Sequence, residues 1–348
     1  MVCTHAHHHP LCLRLCTHAL PDPTGHSGEA VSLERVPQLS IAGRRVPYVF
    51  AAALALVTVL TSCGDAEQSP DTPSATPAEF TVPVTAATVE VLDAGSEPRQ
   101  SLRMNLPAGT TQATTLVTST DVRQQIDQQP VQDISSPEVT IPLNAVVATA
   151  ATPENPTTVV DLTLSGMTTP DATLQAALGG AEGSGAALTF TESGAVTALR
   201  LRPSAGSANA ARAAIEQAFG QAVYRAVALP AEPVGVGARW TVKQDVSSEI
   251  QLDQTTTVTV TARDGDRLTL AVELSQTPQS NVWNLAGDAG TLDIDQYVMA
   301  GSGTMTVDLN LPLPVSGDLS VGGDQAYSDP DGTSVIRQSI TNNIRWTS

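Results

Sequence analysis

Cys63 is the residue whose type and setting most directly indicate chemistry in this chain. It ends the run Leu60-Thr61-Ser62-Cys63, which follows the basic pair Arg44-Arg45 and fifteen mostly apolar residues, Val46–Leu60. A positive start, a short apolar core and small residues before a cleavage point are typical of a secretory signal peptide, here closed by a cysteine that can carry lipid. The pattern predicts cleavage before Cys63, lipid attachment to its thiol, and a chain anchored to the outer face of the bacterial cell membrane.

The apolar run has two other interpretations. A membrane-spanning helix needs about 20 apolar residues, so this run is short for one. A buried core segment beside an unrelated cysteine would not need the basic flank or the small residues, so a cleaved signal is favoured. Arg44-Arg45 also suggests twin-arginine export, but Val46-Pro47-Tyr48 continues that pattern poorly, which favours ordinary secretion.

The first 43 residues hold another group of potential ligands. All six histidines and three of the four cysteines, Cys3, Cys12 and Cys16, lie there. Thiolates and imidazoles bind zinc and other transition metals, so this segment could hold a metal ion. Its spacings match no zinc-finger pattern, and no apolar periodicity would fold it around an ion. We therefore expect a disordered extension, including the case of a start codon placed too far upstream.

Residues 63–348, the chain left after the predicted cleavage, lack most groups used in catalysis. They contain no histidine, no cysteine apart from Cys63, and one lysine, Lys243. Ser-His-Asp and Cys-His catalytic sets, histidine-based metal sites and disulfides are therefore excluded from this part. Paired carboxylates stay open, although the scarcity of aromatic residues disfavours a carbohydrate enzyme. We expect no enzymatic activity and no cofactor.

The charge of this part disfavours two classes of partner. Four of the 17 basic and three of the 35 acidic residues precede Cys63, so residues 63–348 carry a net charge of −19. Nucleic acids and anionic lipid surfaces bind basic patches, so neither is expected as an electrostatic partner. The excess of acidic residues mainly favours solubility.

Composition divides the chain into four parts. These are an extension at 1–43, the signal peptide at 44–62, the lipidated cysteine with a proline-rich linker at 63–79, and a β-rich extracytoplasmic domain at 80–348. The linker is too polar to bury the apolar surface that would offset the entropy of ordering it. No low-complexity boundary divides the last part, so we expect one composite domain, with two halves as the alternative.

The last part has the two-residue alternation of β-strands. Apolar and polar residues alternate over 102–106, 160–164, 257–262, 268–275 and 305–311. This alternation places one face of a sheet in a core and the other in water. Turn pairs at Ser193-Gly194, Asp264-Gly265 and Asp331-Gly332 predict hairpins between such strands.

Two helices are expected near the middle of the chain. Asp171 can cap a short helix that ends at Gly179-Gly180. A longer helix starts near Ser207 or Asn209 and must end before Pro230. Its apolar face consists of Ala211, Ile215, Ala218, Phe219 and Ala222. The predicted fold class is α+β, mainly antiparallel β, with a curved sheet, half-barrel or sandwich and about two helices.

The segment Leu229–Trp240 is the longest distinctive motif: Leu-Pro-Ala-Glu-Pro-Val-Gly-Val-Gly-Ala-Arg-Trp. Its prolines keep it out of a helix, and Gly235 and Gly237 permit tight backbone turns. Trp240 then enters a strand as a bulky anchor. A structural role, as the crossover from the longer helix into a second sheet, is favoured over a binding role.

In this setting the segment resembles secreted actinobacterial lipoproteins that carry a domain of unknown function. Members share the motif LP-x-EP-VG-x-GA-x-W after a helix, an LR…L…G segment matched by Leu102-Arg103 and Gly109, and a late G-x-G strand matched by Gly301-Ser302-Gly303. The resemblance covers residues 84–346 and implies an envelope location and a β-rich fold, without an activity or catalytic residues. The order of elements is also similar to lipid-carrying lipoproteins, in which a curved antiparallel sheet wraps an apolar cavity covered by helices.

A few polar side chains of the domain could bind an ion or react. Asp288, Asp293 and Asp295, and the turn Asp329–Gly332, offer the oxygen ligands that calcium prefers. They lack the spacing of a calcium-binding loop, so solvated turns are favoured and no metal is expected. Ser184 lies in a Gly-Ser-Gly segment predicted as a flexible loop, and no histidine is present to activate it.

Aromatic residues are the remaining candidates for ligand binding. They are Trp240, Trp283 and Tyr297, together with Tyr224 and Trp346, although anchoring a core is the more common role of such residues. The predicted tether, the carrier-like order of elements and the absence of catalytic nitrogen bases favour a non-enzymatic envelope lipoprotein that binds or carries an apolar or amphipathic ligand such as a lipid or glycolipid. The alternatives are an envelope scaffold or protein-interaction module without a small ligand, and a carboxylate-based hydrolase. No particular protein partner is indicated.

Overall fold

The computed structural model describes residues 79–286 and 290–348, which form sixteen strands and two helices. The first strands are β1 (Phe80–Pro83), β2 (Thr88–Asp93), β3 (Thr111–Ile126), β4 (Gln132–Asp133), β5 (Ser136–Thr149), β6 (Thr157–Leu164), β7 (Gly185–Thr191) and β8 (Val196–Arg202). The later strands are β9 (Arg239–Val246), β10 (Leu252–Asp264), β11 (Arg267–Pro278), β12 (Val282–Asn284), β13 (Thr291–Tyr297), β14 (Met299–Asp308), β15 (Ser316–Ser328) and β16 (Val335–Thr347). The helices are α1 (Ala172–Gly179), between β6 and β7, and α2 (Asn209–Val223), between β8 and β9.

Several predictions concern residues outside these described ranges. They are the N-terminal extension, the signal peptide, lipidation of Cys63, the proline-rich linker up to residue 78, and a role for Asp288. Within the described ranges, no helix has the length and apolar character to cross a membrane.

All sixteen strands belong to one curved, unclosed antiparallel sheet. Each half of the chain forms a meander, β3–β5–β6–β7–β8 and β9–β10–β11–β14–β15–β16, and the pairing of β16 with β3 joins the halves. This confirms the predicted α+β, mainly antiparallel β, fold class. The prediction of a second sheet is wrong for the described residues. Twelve residue pairs between β3 and β16 join the two meanders into one sheet.

A short connection brings the two edges of the sheet close together. β1 lies beside β8 at one edge and β2 lies beside β9 at the other, although residues 84–87 alone connect β1 to β2. Five Cα steps span at most about 18 Å, so the sheet must curl back toward itself. The connection is fastened at both edges: Val84 N donates to Thr197 O (2.9 Å), and Gln244 Nε2 donates to Thr85 O (2.8 Å).

The core lies on the inner face of this curl. Residues paired on neighbouring strands form apolar rows across the sheet. One row contains, in order, Leu116 (β3), Trp346 (β16), Gly317 (β15), Met305 (β14) and Leu270 (β11). The helices pack on this face. α2 buries the predicted positions Ala211, Ile215, Ala218 and Phe219, with Val223, while Ala222 is half-buried.

The local signals of the sequence are largely confirmed. The Asp171 side chain caps α1 by accepting from Leu174 N (2.7 Å). All three predicted hairpins form, and Asp264 pairs with Arg267 around a two-residue turn. The strand predicted over 102–106 is wrong: Leu102 and Leu106 enter the core, but the segment joins no ladder. Alternating apolar and polar residues indicate that one face of a segment is buried. An extended segment can bury such a face without pairing with a neighbouring strand.

The Leu229–Trp240 segment has a backbone explanation. It leads from α2 into β9 of the same sheet, and Gly235 N donates to Ala94 O (2.9 Å) on the way. A Cβ atom at Gly235 would lie 1.8 Å from Ser96 O, so another side chain would force two backbone segments apart. Gly237 has a φ of +83°, which disfavours other residues at that position as well.

Candidate ligand-binding groove

An apolar groove lies between the C-terminal part of α2 and the inner face of the sheet. It holds a cavity of about 70 Å³. Its walls come from α2 and from both halves of the sheet, and include Leu162, Phe190, Phe219, Met305, Leu311 and Trp346. Among the described residues, Arg225 is the one charged residue that lines it, and no carboxylate of those residues does. The groove can therefore take an apolar group, with a single cation beside it.

The spacing of α2 forms one wall. Phe219, Ala222 and Val223 are three and four residues apart and share one side of the helix. The chain then passes Arg225 and runs beside the groove, where Leu229 N donates to Ser193 O (2.8 Å). This hydrogen bond holds the segment after the helix against the hairpin between β7 and β8.

A buried glutamine fixes the opposite wall. Gln112 Nε2 donates to Leu313 O (3.0 Å) and Pro314 O (3.3 Å), and Gln112 Oε1 accepts from Leu313 N (2.9 Å). The glutamine thus satisfies the polar backbone of the 311–314 loop while the apolar side chains of that loop line the groove. We interpret Gln112 as a positioning residue for the groove.

Arg225 is the polar feature of the groove. Its Nη1 donates to Gln221 O (3.2 Å), one helical turn earlier. Its side chain is half-buried, but Nε is fully covered and has no hydrogen-bond partner among the described residues. Burial lowers the pKa of Arg225 to about 10, which still leaves the guanidinium charged at neutral pH.

A second cavity, of about 190 Å³, lies on the other side of α2. It is more polar, and Thr120 on β3 is one of its lining residues. Thr120 Oγ1 accepts from Gln217 Nε2 (3.1 Å) and Gln221 Nε2 (2.9 Å) and donates to Asn342 Oδ1 (2.9 Å). Gln221 Oε1 is buried without a partner among the described residues. This network ties α2 to the strands that join the two halves of the sheet.

The structure separates the three aromatic candidates from the groove. Trp240 is fully buried in β9, and its Nε1 donates to Ala228 O (2.9 Å). Trp283 packs against Tyr327, with ring centroids 5.1 Å apart. Tyr297 is half-buried on β13, where burial raises its pKa to about 12. None of the three lines the groove.

Two other aromatic residues lie nearer to it. Trp346, which is buried, is part of the lining. Tyr224 precedes Arg225 and accepts a hydrogen bond from Gln254 at its carbonyl oxygen (2.6 Å). The Tyr224 hydroxyl accepts weakly from Ser247 N (3.4 Å), and burial raises the pKa of this phenol.

Trp240 gives a direct test of its structural role. Trp240→Phe removes the donor to Ala228 O and part of a fully buried side chain, so we expect the free energy of unfolding to fall by about 2 kcal/mol. Urea denaturation followed by circular dichroism measures the change. Trp283→Phe, at a half-buried site, is the matched control and should cost about 1 kcal/mol or less. Equal losses for the two variants would contradict the anchoring role.

The remaining polar motifs have local structural roles. Ser184 is buried: its Oγ accepts from Ser204 N (3.0 Å) and lies 3.3 Å from Ser207 Oγ, so the middle of the predicted flexible loop is bound to its neighbours, whereas Gly183 is exposed. Asp329 Oδ1 accepts from Asp331 N (2.9 Å), as expected for a solvated turn. Asp295 accepts from Ser328. Within 79–286 and 290–348, no three acidic, histidine or cysteine side chains are grouped as a metal site would require.

The sequence did not lead us to predict Arg225 as a groove residue or Gln112 as the residue that supports the groove. Arg225 did carry a signal, since it is the only charged residue between Glu216 and Glu232. A lone cation in an apolar stretch that follows a helix indicates a polar group held near a core. Gln112 carried none, because its partners lie about 200 positions later in the chain.

The chain matches no family model, no curated protein and no solved structure. Its resemblance to actinobacterial lipoproteins therefore stays a prediction based on the motifs above.

Proposed function

We propose that this protein is a membrane-anchored extracytoplasmic lipoprotein, without enzymatic activity, that binds an apolar or amphipathic ligand of the cell envelope. The observation that carries this proposal is the apolar groove beside α2, where Arg225 is the one charged residue of the part of the lining that the structure describes. The sequence pattern ending at Cys63 supports the location. The inner face of a curved sheet, covered by a helix, is a setting in which apolar ligands can be shielded from water.

The size of the cavity limits how a ligand can lie. At about 70 Å³, it is smaller than the roughly 150 Å³ cavity that holds one benzene molecule. Small-molecule sites are commonly about 300–1,000 Å³. The end of a single acyl chain is thus the group that fits, and the rest of the ligand extends along the groove toward solvent. Binding of a longer segment requires α2 or the 311–314 loop to move.

Binding of a neutral apolar probe tests this proposal. The chain from residue 63 to 348, the form expected after cleavage, is prepared without lipid and titrated with N-phenylnaphthylamine, whose emission rises in apolar surroundings. We expect saturable binding. Ala222→Leu narrows the groove and should weaken binding about tenfold, because a few misplaced methyl groups change affinity by about 1–3 kcal/mol.

A matched variant on the same helix controls for general effects of the substitution. Ala214 lines the second, more polar cavity, so Ala214→Leu should leave probe affinity within about twofold. The proposal fails if the wild-type chain does not bind the probe, or if both variants weaken binding equally.

An interaction module without a small ligand is the second candidate. It is favoured by the small size of the cavity and by two exposed apolar residues that flank β4, Val131 (58% exposed) and Ile134 (47% exposed). Apolar groups exposed on one loop are typical of a contact surface when they form a patch. This candidate predicts no probe binding, together with protein partners in envelope crosslinking that are lost in Val131→Asp.

A further inference from the structure

Arg225 is the one charged residue among the described residues that line the apolar groove, and none of those residues offers it an acidic partner. Of its nitrogens, Nη1 donates to Gln221 O (3.2 Å), while Nε is covered and unpaired among the described residues. No ion pair between the described residues includes Arg225. A buried donor without an acceptor is costly, so such a group is expected to have a partner when the protein works.

Two other arginines with a covered Nε have acidic neighbours, and Arg225 differs from them in this respect among the described residues. Arg200 and Arg212 also have a covered Nε that forms no hydrogen bond with another described residue. Arg200 lies 3.4 Å from Asp161, and the charge of Arg212 acts on Glu216, where it opposes the rise in the pKa of that carboxyl. For Arg225, burial is the only cause of the lowered pKa, and no carboxylate contributes.

Because the protein has a strong excess of acidic residues, the position of Arg225 away from a described carboxylate is unusual. Residues 63–348 carry 32 acidic and 13 basic side chains, so an acidic neighbour would be easy to supply. A guanidinium is a planar set of donors that matches the oxygens of a carboxylate or phosphate. Apolar walls of Phe190, Phe219 and Trp346 next to such a donor set fit a molecule with an anionic head and an apolar tail.

We propose that the groove selects a single-chain amphiphile with an anionic headgroup, whose carboxylate or phosphate oxygens accept hydrogen bonds from Arg225 while its chain lies against the apolar walls. This inference rests on the proposed ligand-binding function and names the class of ligand. Carboxylate and phosphate headgroups share the chemistry, so separate probes must distinguish a fatty acid from a phosphorylated lipid.

Competition against N-phenylnaphthylamine tests the inference on the chain from residue 63 to 348 without lipid. The competitors are dodecanoate, dodecyl phosphate, dodecanol and dodecyltrimethylammonium, which share one chain length. We expect at least one anion to bind about tenfold or more tightly than dodecanol, the size expected for a charge-assisted hydrogen bond. The better of the two anions identifies the headgroup. The cation should bind at least about tenfold more weakly than that anion, although the net charge of −19 favours cations.

Variants then assign the preference to one side chain. Arg225→Gln should reduce the preference of the anion over dodecanol to about twofold or less, because the affinity for the anion falls more than the affinity for dodecanol. Circular dichroism of the variant shows whether its fold is intact. Arg212→Gln, on α2 and also with a covered Nε, is the matched control and should keep the full preference.

The possible failures are distinguishable. If the wild-type chain binds dodecanol and the anions equally, or prefers the cation, the inference is overturned while the proposed function stands. If Arg225→Gln keeps the anion preference, Arg225 is not the headgroup site and the inference is likewise overturned. If neither the neutral probe nor any amphiphile binds, the proposed function fails, and the inference fails with it. If Arg225→Gln does not fold, the wild-type comparison of anion with cation still decides whether the groove selects an anionic headgroup.

Discussion

Replacing Cys63 with serine is expected to abolish lipid attachment completely and to leave the chain uncleaved. Lipidation requires a thiolate that forms a thioether, and a serine hydroxyl is far less acidic and less nucleophilic than a thiol. Metabolic labelling with palmitate, followed by separation of membrane and soluble fractions, measures the change. The wild-type chain should incorporate label and stay with the membrane after a high-salt wash, because a lipid anchor does not depend on charge.

The neighbouring residue provides the control for this substitution. Ser62→Ala keeps a small side chain before the predicted cleavage point and should label like the wild type. If Cys63→Ser still incorporates palmitate, the site of lipidation is another residue. If it loses label but stays firmly on the membrane, a second anchor holds the chain there.

Replacing Gly303 with alanine is expected to lower the free energy of unfolding by about 3 kcal/mol or more. Gly303 lies within β14, where it pairs with Leu319 of β15. A Cβ atom at this position would lie 1.9 Å from Asp318 O and 2.7 Å from Leu319 Cα. These are backbone atoms and cannot rotate away, so β14 and β15 would have to separate near the middle of the sheet. Chemical denaturation followed by tryptophan fluorescence measures the loss.

Two substitutions separate this steric effect from a general response to alanine. Ser302, the exposed neighbour, should change stability by less than about 0.5 kcal/mol when it becomes alanine. Gly220 lies inside α2, and a Cβ atom there would meet nothing within 4 Å. Gly220→Ala should therefore raise stability by about 0.5–1 kcal/mol, because alanine favours a helix and glycine does not. A loss at Gly303 no larger than that at Ser302 would show that the strands yield easily.

The role of the Leu229–Trp240 segment was predictable from the sequence in part. The Leu229–Trp240 segment was predicted to be a structural crossover, and the prediction is confirmed in that it leads from α2 into β9. The reason for Gly235 was not predictable. It lies in the close approach to Ser96 O, about 140 residues away, which no local pattern encodes. The longer helix was placed correctly from its apolar spacing, because that spacing alone fixes which side can be buried.

The candidate site was less predictable than the elements that form it. The sequence predicts Trp240, Trp283 and Tyr297 as candidate ligand-binding residues because aromatic side chains are large and amphipathic. These are properties of the residue type. Whether such a side chain reaches a cavity depends on packing. Trp240 instead lies fully buried beside Ala228 O, whereas Trp346 lines the groove because the β16–β3 pairing places it on the inner face.

The sequence by itself excluded histidine- and thiol-pair chemistry from residues 63–348 and determined most of the local elements they form. The absence of histidine and of a second cysteine is a matter of composition, and hairpins, caps and the face of α2 depend on residues close together in the chain. Only the tertiary structure decided that two meanders join through β3 and β16 and that the sheet curls until residues 84–87 connect its edges. It also decided that Arg225 lies in an apolar groove to which no acidic residue of the described ranges contributes. These features arise from contacts between residues more than a hundred positions apart, whose partners the local pattern does not specify.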